Sequence, residues 1–151
     1  KLERAIASGE ARDLTNEVPE ALAESRERVN QLIDELAPKG PLVLGGFSQG
    51  AMLATDVALR TDRALAGLVL MSTTLIAESE WTPLFAKRAG LRVLMSHGRS
   101  DPLLPFAIAE RLRDQLTEAG LSVEFVPFGG GHGLSDGIVD ALGKFIREVA
   151  E

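Results

Sequence analysis

Four short apolar runs, each followed by a longer segment of helical or loop character, alternate along this chain, and that alternation restricts its fold more than any other property. The runs at 42–44, 65–71, 91–95 and 123–126 read as buried strands, the first of them bounded by Pro41 and Gly45-Gly46. The third ends at Ser96-His97-Gly98. Helices are predicted over about 49–60, 105–119 and 137–149. Ala51, Ala54 and Ala58 give the first a small face that can lie close on a sheet. In the second, Ile108, Leu112, Leu116 and Ala119 share one side and Gly120 closes it. Ile138, Leu142, Phe145, Ile146 and Val149 share one side of the third, with Ser135 or Asp136 as its cap. An opening helix starts at Pro19, repeats Leu22, Val29, Leu32, Ile33 and Leu36 at helical spacing, and stops at Pro38-Lys39-Gly40-Pro41. Residues 1–17 read as a short helix and a loop, 73–80 as loop, and 81–89 as a short helix. Strands that alternate with helices imply a parallel sheet covered on both faces, an α/β fold in one domain over residues 1–151.

Composition removes several classes of function. A formal charge of −6 argues against nucleic acid, whose phosphates need a basic face. The cations are interleaved with acids, as in Glu24-Ser25-Arg26-Glu27-Arg28, the pattern of a solvated helix face. With no cysteine there is no disulfide, thiolate zinc site or Cys nucleophile. His97 and His132 are the only histidines, too few for a His-based metal site, and no cofactor is implied. No apolar run reaches membrane-spanning length and the first residues lack the apolar stretch of a signal peptide, so a soluble, cytoplasmic protein is expected.

Chemistry concentrates in three places. Gly46-Phe47-Ser48-Gln49-Gly50 fits G-x-S-x-G between a predicted strand and helix, where a sharp turn lifts a serine hydroxyl above the strand end. The glycines are expected because a Cβ at either flank would collide with the neighbouring strand or helix. The Gln49 N–H, at the start of the helix, is then aimed where an oxyanion forms. Phosphate binding is the poorer reading: G-x-x-x-x-G runs from Gly45 to Gly50, but Ala51-Met52 stand where Lys and Ser or Thr belong. His132, in Gly129-Gly130-Gly131-His132-Gly133, follows the fourth strand on a glycine-flanked loop, a position suited to a general base. Asp101 follows the third strand, in Ser100-Asp101-Pro102; alone it reads as a turn or cap. Each of the three follows a different strand of one parallel sheet, so all emerge at its C-terminal edge, where such folds bind ligands. His97 is the rival base but ends a strand before Gly98, and is read as structural.

At these residues the chain resembles the phospholipase/carboxylesterase (acyl-protein thioesterase-like) family of α/β-hydrolases. The resemblance rests on Gly45-Gly46-Phe47-Ser48-Gln49-Gly50-Ala51, on His97-Gly98 followed by Asp101-Pro102-Leu103-Leu104-Pro105, and on Gly131-His132, and it covers roughly residues 19–149. It implies a cofactor-free serine hydrolase of small ester or thioester substrates, with Ser48, Asp101 and His132 as nucleophile, orienter and base and Gln49 in the oxyanion hole. Family members begin with further strands, so about two strand-plus-helix units, on the order of 60 residues, are expected to be missing here. The expectation is an N-terminally truncated α/β-hydrolase fold, weakly active alone, that forms a homodimer or pairs with the missing N-terminal segment. Leu75, Ile76, Trp81 and Leu104 are the expected substrate-binding residues, with Leu84, Phe85, Leu103 and Phe106 nearby. A non-catalytic, self-assembling module and a serine peptidase are the alternatives.

Overall fold

In the computed structural model residues 13–150 are described. The elements are α1 (Leu22–Leu36), β1 (Val43–Phe47), α2 (Gln49–Arg60), β2 (Gly67–Met71), α3 (Glu78–Trp81), a 3₁₀ helix (Thr82–Arg88), β3 (Arg92–Gly98), α4 (Phe106–Glu118), β4 (Ser122–Phe128) and α5 (Asp136–Val149). The four strands form one parallel sheet in the order β1-β2-β3-β4. In register, Phe47 lies beside Met71, Met71 beside Ser96 and Ser96 beside Val126. The residues that follow stand at one level: Ser48 and Ser72 just past the ends of β1 and β2, and His97 still within β3 opposite Pro127.

Alternation along the strands divides the core. Leu68, Leu70, Val93 and Met95 point to one face, where α2, α4 and the 3₁₀ helix pack, with Met52, Phe85, Leu112 and Leu116 buried among them. Val69 and Leu94 point to the other, where Ile138 and Phe145 of α5 cover them. Ser135 caps α5, its Oγ accepting from the Ile138 N–H at 3.2 Å. α1 packs on α2 rather than on the sheet. One contact between them is charged: fully buried Asp56 of α2 accepts from Arg26 of α1, from Arg60 at 2.8 Å and from the Trp81 indole N–H at 3.0 Å.

Several boundaries differ from the sequence reading. β1 continues through Gly45-Gly46-Phe47 rather than ending at residue 44. β4 continues through Pro127 because, among the described residues, it is an edge strand, where a missing N–H costs no ladder bond. α1 begins at Leu22, three residues after Pro19. Residues 78–88 form one α-turn run followed by a 3₁₀ helix with Pro83 in its first turn, not a single short helix. Of residues 1–17, only 13–17 are described; they dock on the turn at 77–78 through Ala77 N–H to Glu17 C=O and Glu78 N–H to Thr15 C=O. None of the described helices is long and apolar enough to cross a membrane.

Candidate active site

Ser48 sits between β1 and α2 with φ 58° and ψ −117°, a strained conformation for a residue with a side chain. Its N–H is held by the Met71 carbonyl at 2.9 Å, and its own carbonyl accepts from the Ala51 and Met52 N–H groups in the first turn of α2. Gly46 makes the turn possible: a Cβ there would lie 2.3 Å from the Gly50 carbonyl carbon and 2.7 Å from the Ala51 nitrogen. Gly50 does not share that role. A Cβ at Gly50 meets nothing within 4 Å, so the expected collision occurs at one flank only. Gln49 opens α2, so its N–H has no acceptor within the helix.

The structure brings Ser48, His132 and Asp101 together. Ser48 Oγ is 2.9 Å from His132 Nε2, and His132 Nδ1 is 2.8 Å from Asp101 Oδ2. A carboxylate only accepts, so the proton is on Nδ1 and the Nε2 lone pair faces the serine hydroxyl. Asp101 Oδ1 accepts from the N–H groups of Leu103 and Leu104 at 2.8 and 2.9 Å. With its side chain wholly enclosed, this carboxylate is held at both oxygens, while the His132 side chain stays 13% exposed. Phe47 packs on the imidazole with ring centroids 5.0 Å apart.

Two supports went unrecognised in the sequence. The Asp101 and His132 loops are laced by Arg99 N–H to Phe128 C=O and Ser100 N–H to Gly130 C=O. Gly98 allows this, since a Cβ there would lie 2.2 Å from the Gly131 oxygen. Ser72, buried and left-handed at φ 52°, donates from Oγ to the Gly133 carbonyl at 3.0 Å and so ties down the far side of the His132 loop. Its one legible signal is position: it follows β2 as Ser48 follows β1. His97 is fully buried, and that burial pushes its pKa below the ordinary imidazole value.

The expected acyl-slot residues are distributed differently. Leu75, Ile76, Trp81 and Leu104 are all wholly enclosed in the core, as is Phe85, and Trp81 spends its polar atom on Asp56. Ile76 alone of the four belongs to the lining of a cleft of about 510 Å³, which also takes in Gln49, Gly50, Met52, Leu53 and Val18. Apolar runs after strands mark core as readily as ligand surface, and here the 73–77 segment is buried. Among the described residues no three His, Asp or Glu side chains gather as a metal site would require.

A profile of the family described as Phospholipase/Carboxylesterase matches residues 6–150. The chain belongs to this family. Among curated relatives, the phospholipase/carboxylesterase chain is 30% identical over 124 residues to acyl-protein thioesterase 1 of Neurospora crassa, covering 80% of this chain and 51% of that protein. It is 31% identical over 108 residues to acyl-protein thioesterase 1 of Cryptococcus neoformans, covering 68% of this chain and 45% of that one. It thus spans about half the length of these relatives. SOBER1 of Arabidopsis thaliana shares the fold with TM-score 0.76 at 24% identity over 86% of this chain and 65% of that one. Zea mays acyl-protein thioesterase 2 does so with TM-score 0.73 at 23% identity, covering 93% and 71%. The family fold is an α/β-hydrolase, of which this chain supplies four parallel strands with helices on both faces.

Proposed function

We propose that this chain carries the reacting groups of a serine hydrolase that cleaves carboxylic esters or thioesters, with Ser48 as nucleophile, His132 as general base and Asp101 as orienter. The observation that carries it is the continuous hydrogen-bonded line from Ser48 Oγ through the His132 ring to Asp101 Oδ2. The names of the Neurospora and Cryptococcus relatives favour a thioester among the substrates.

His132 Nε2 takes the hydroxyl proton as Ser48 Oγ attacks the acyl carbon, and Asp101 stabilises the imidazolium that forms. The carbonyl oxygen gains the charge and is met by the Gln49 N–H at the positive end of α2. His132 then gives its proton to the departing oxygen or sulfur, leaving an acyl group on Ser48. Water attacks that ester with His132 again as base, and the acid leaves. An oxyanion donor of this kind is worth ~10²–10³ in rate. Ile76 and the cleft beside Gln49 are the proposed seat of the acyl chain.

The test is an alkyl fluorophosphonate, which reports an activated serine without requiring turnover. An adduct mapped to Ser48, absent in Ser48→Ala and strongly reduced in His132→Ala, supports the assignment. A folded chain that yields no adduct at Ser48 overturns it. Matched oxyester, thioester and anilide substrates then separate an esterase or thioesterase from a peptidase.

A further inference from the structure

We infer that His97 is a positioning residue for Asp101: as a buried, neutral hydrogen-bond donor it fixes the peptide that grips the carboxylate. The inference rests on the serine-hydrolase reading for its effect on rate, and on geometry alone for the contact.

His97 is the penultimate residue of β3 and is wholly enclosed. Its Nε2 lies 2.8 Å from the Leu104 carbonyl oxygen. That oxygen only accepts, so Nε2 carries a proton. Nδ1 is buried and meets no partner among the described residues, and a second proton there would be a buried donor without an acceptor. Burial disfavours the charged ring, the nearby His132 opposes its charge further, and only the Leu104 carbonyl and Asp101 pull the other way. His97 is therefore the neutral Nε2–H tautomer.

The residue it holds is the one that matters to Asp101. The N–H groups of Leu103 and Leu104 both donate to Asp101 Oδ1. The Leu104 carbonyl, on the far side of the same residue, is fastened by His97. Leu104 is thus tied at both ends, its N–H to the carboxylate and its C=O to the ring. Without the ring proton a buried carbonyl loses its partner, and the 101–104 turn can rotate to find another. Asp101 would turn with it, and the His132 ring would lose the acceptor that sets its tautomer. Phe106 braces the His97 ring edge-on at 5.9 Å between centroids, and Arg99 lies over the Phe106 ring rather than against the imidazole.

Neutrality is part of the device. His97 Nε2 stands 3.4 Å from Asp101 Oδ2, the oxygen that holds His132. At that distance a neutral ring with its proton on Leu104 leaves Oδ2 to His132. An imidazolium there would compete for the same negative charge.

Glutamine, asparagine and leucine at position 97 separate the possibilities. The Gln amide reaches about where Nε2 lies, the Asn amide stops about a bond short, and Leu fills space without a donor. Fluorophosphonate labelling of Ser48 is expected to slow about 10- to 100-fold in His97→Asn and His97→Leu, and to recover to within about threefold of the unaltered chain in His97→Gln. Nitrogen-15 spectra of the imidazoles should show His97 as the Nε2–H tautomer. They should show the His132 Nδ1–H signal kept in His97→Gln and displaced in the other two. Equal labelling rates and an unchanged His132 spectrum in Gln and Asn variants of matched melting temperature would overturn the inference, even if the Leu variant fails to fold. Should the unaltered chain not label at all, the hydrolase reading fails, and the His132 spectra still decide the role of His97.

Discussion

A methyl group added at Gly46 and one added at Gly50 meet opposite surroundings, although the two residues flank the same serine. At Gly46 it strikes the backbone of the first turn of α2, which cannot yield without moving Ser48. Gly46→Ala is expected to cost roughly 2–3 kcal/mol and most of the Ser48 labelling. At Gly50 it enters open space inside a helix, so Gly50→Ala is expected to be neutral or to stabilise by about 0.5–1 kcal/mol. Urea denaturation of the two variants checks both. Asp101→Asn probes a different constraint. Two N–H groups face Oδ1, so the amide oxygen must stay there and the amide NH₂ must turn toward His132. Nδ1 then has to accept, the ring proton moves to Nε2, and the base can no longer take the serine proton. Labelling should fall ~10⁴-fold with the fold intact, yet leave more than Ser48→Ala does. Sequence position pointed to Ser48, Asp101 and His132 because each is a reactive side chain in the loop or turn after a different strand. Ser72 was not legible, because a side chain that bonds a distant backbone carbonyl leaves no spacing in the sequence; His97 was read as structural, but its partner Leu104 was not foreseen.

At the scale of elements, α1, α2 and α3 meet at one buried carboxylate. Removing it with Asp56→Ala leaves Arg26, Arg60 and the Trp81 N–H without their shared acceptor, and should cost about 3–5 kcal/mol. Breaking the exposed Arg28–Glu24 pair on α1 should cost under about 1 kcal/mol, and urea denaturation of both variants checks the contrast. The sequence reading found every strand and long helix because their apolar periods differ. It could not see this junction: Asp56 lies in an otherwise small, apolar helix face, and its partners are 30, 4 and 25 residues away. Boundaries were misjudged where local chemistry and tertiary setting disagree. Glycines at 45 and 46 read as a strand end, yet they are strand residues in close approach to β2 and α2. The fourth strand was read as ending at residue 126, yet an edge strand tolerates Pro127. Trp81 read as a ligand surface, because an apolar run near a strand end carries no mark of which way it faces.

At the scale of the molecule, the buried His97 makes stability depend on pH. Its ring takes a proton near pH 6.5 when the chain is unfolded and resists one when folded. Above that pH neither state is charged there and the group contributes nothing to the difference. As pH falls below it, the unfolded chain binds a proton that the folded chain refuses, so stability declines until the folded ring protonates too. The slope from this one group is at most about 1.4 kcal/mol per pH unit. Urea midpoints taken between pH 7.5 and pH 5 should fall more steeply for the unaltered chain than for His97→Gln.

The level rung across the sheet has a consequence for variation. Because Ser48, Ser72 and His97 stand at the same level on neighbouring strands, hydrogen-bond register works as a ruler for the chemistry. A strand that slips by two residues carries its reactive or bracing group about 7 Å away, whereas the turns at the opposite rim carry no such tolerance limit. Lengthening the α2–β2 turn near Asp62 by two residues should alter melting temperature and leave the Ser48 labelling rate alone. One rim of this sheet is calibrated, and the other is free to drift.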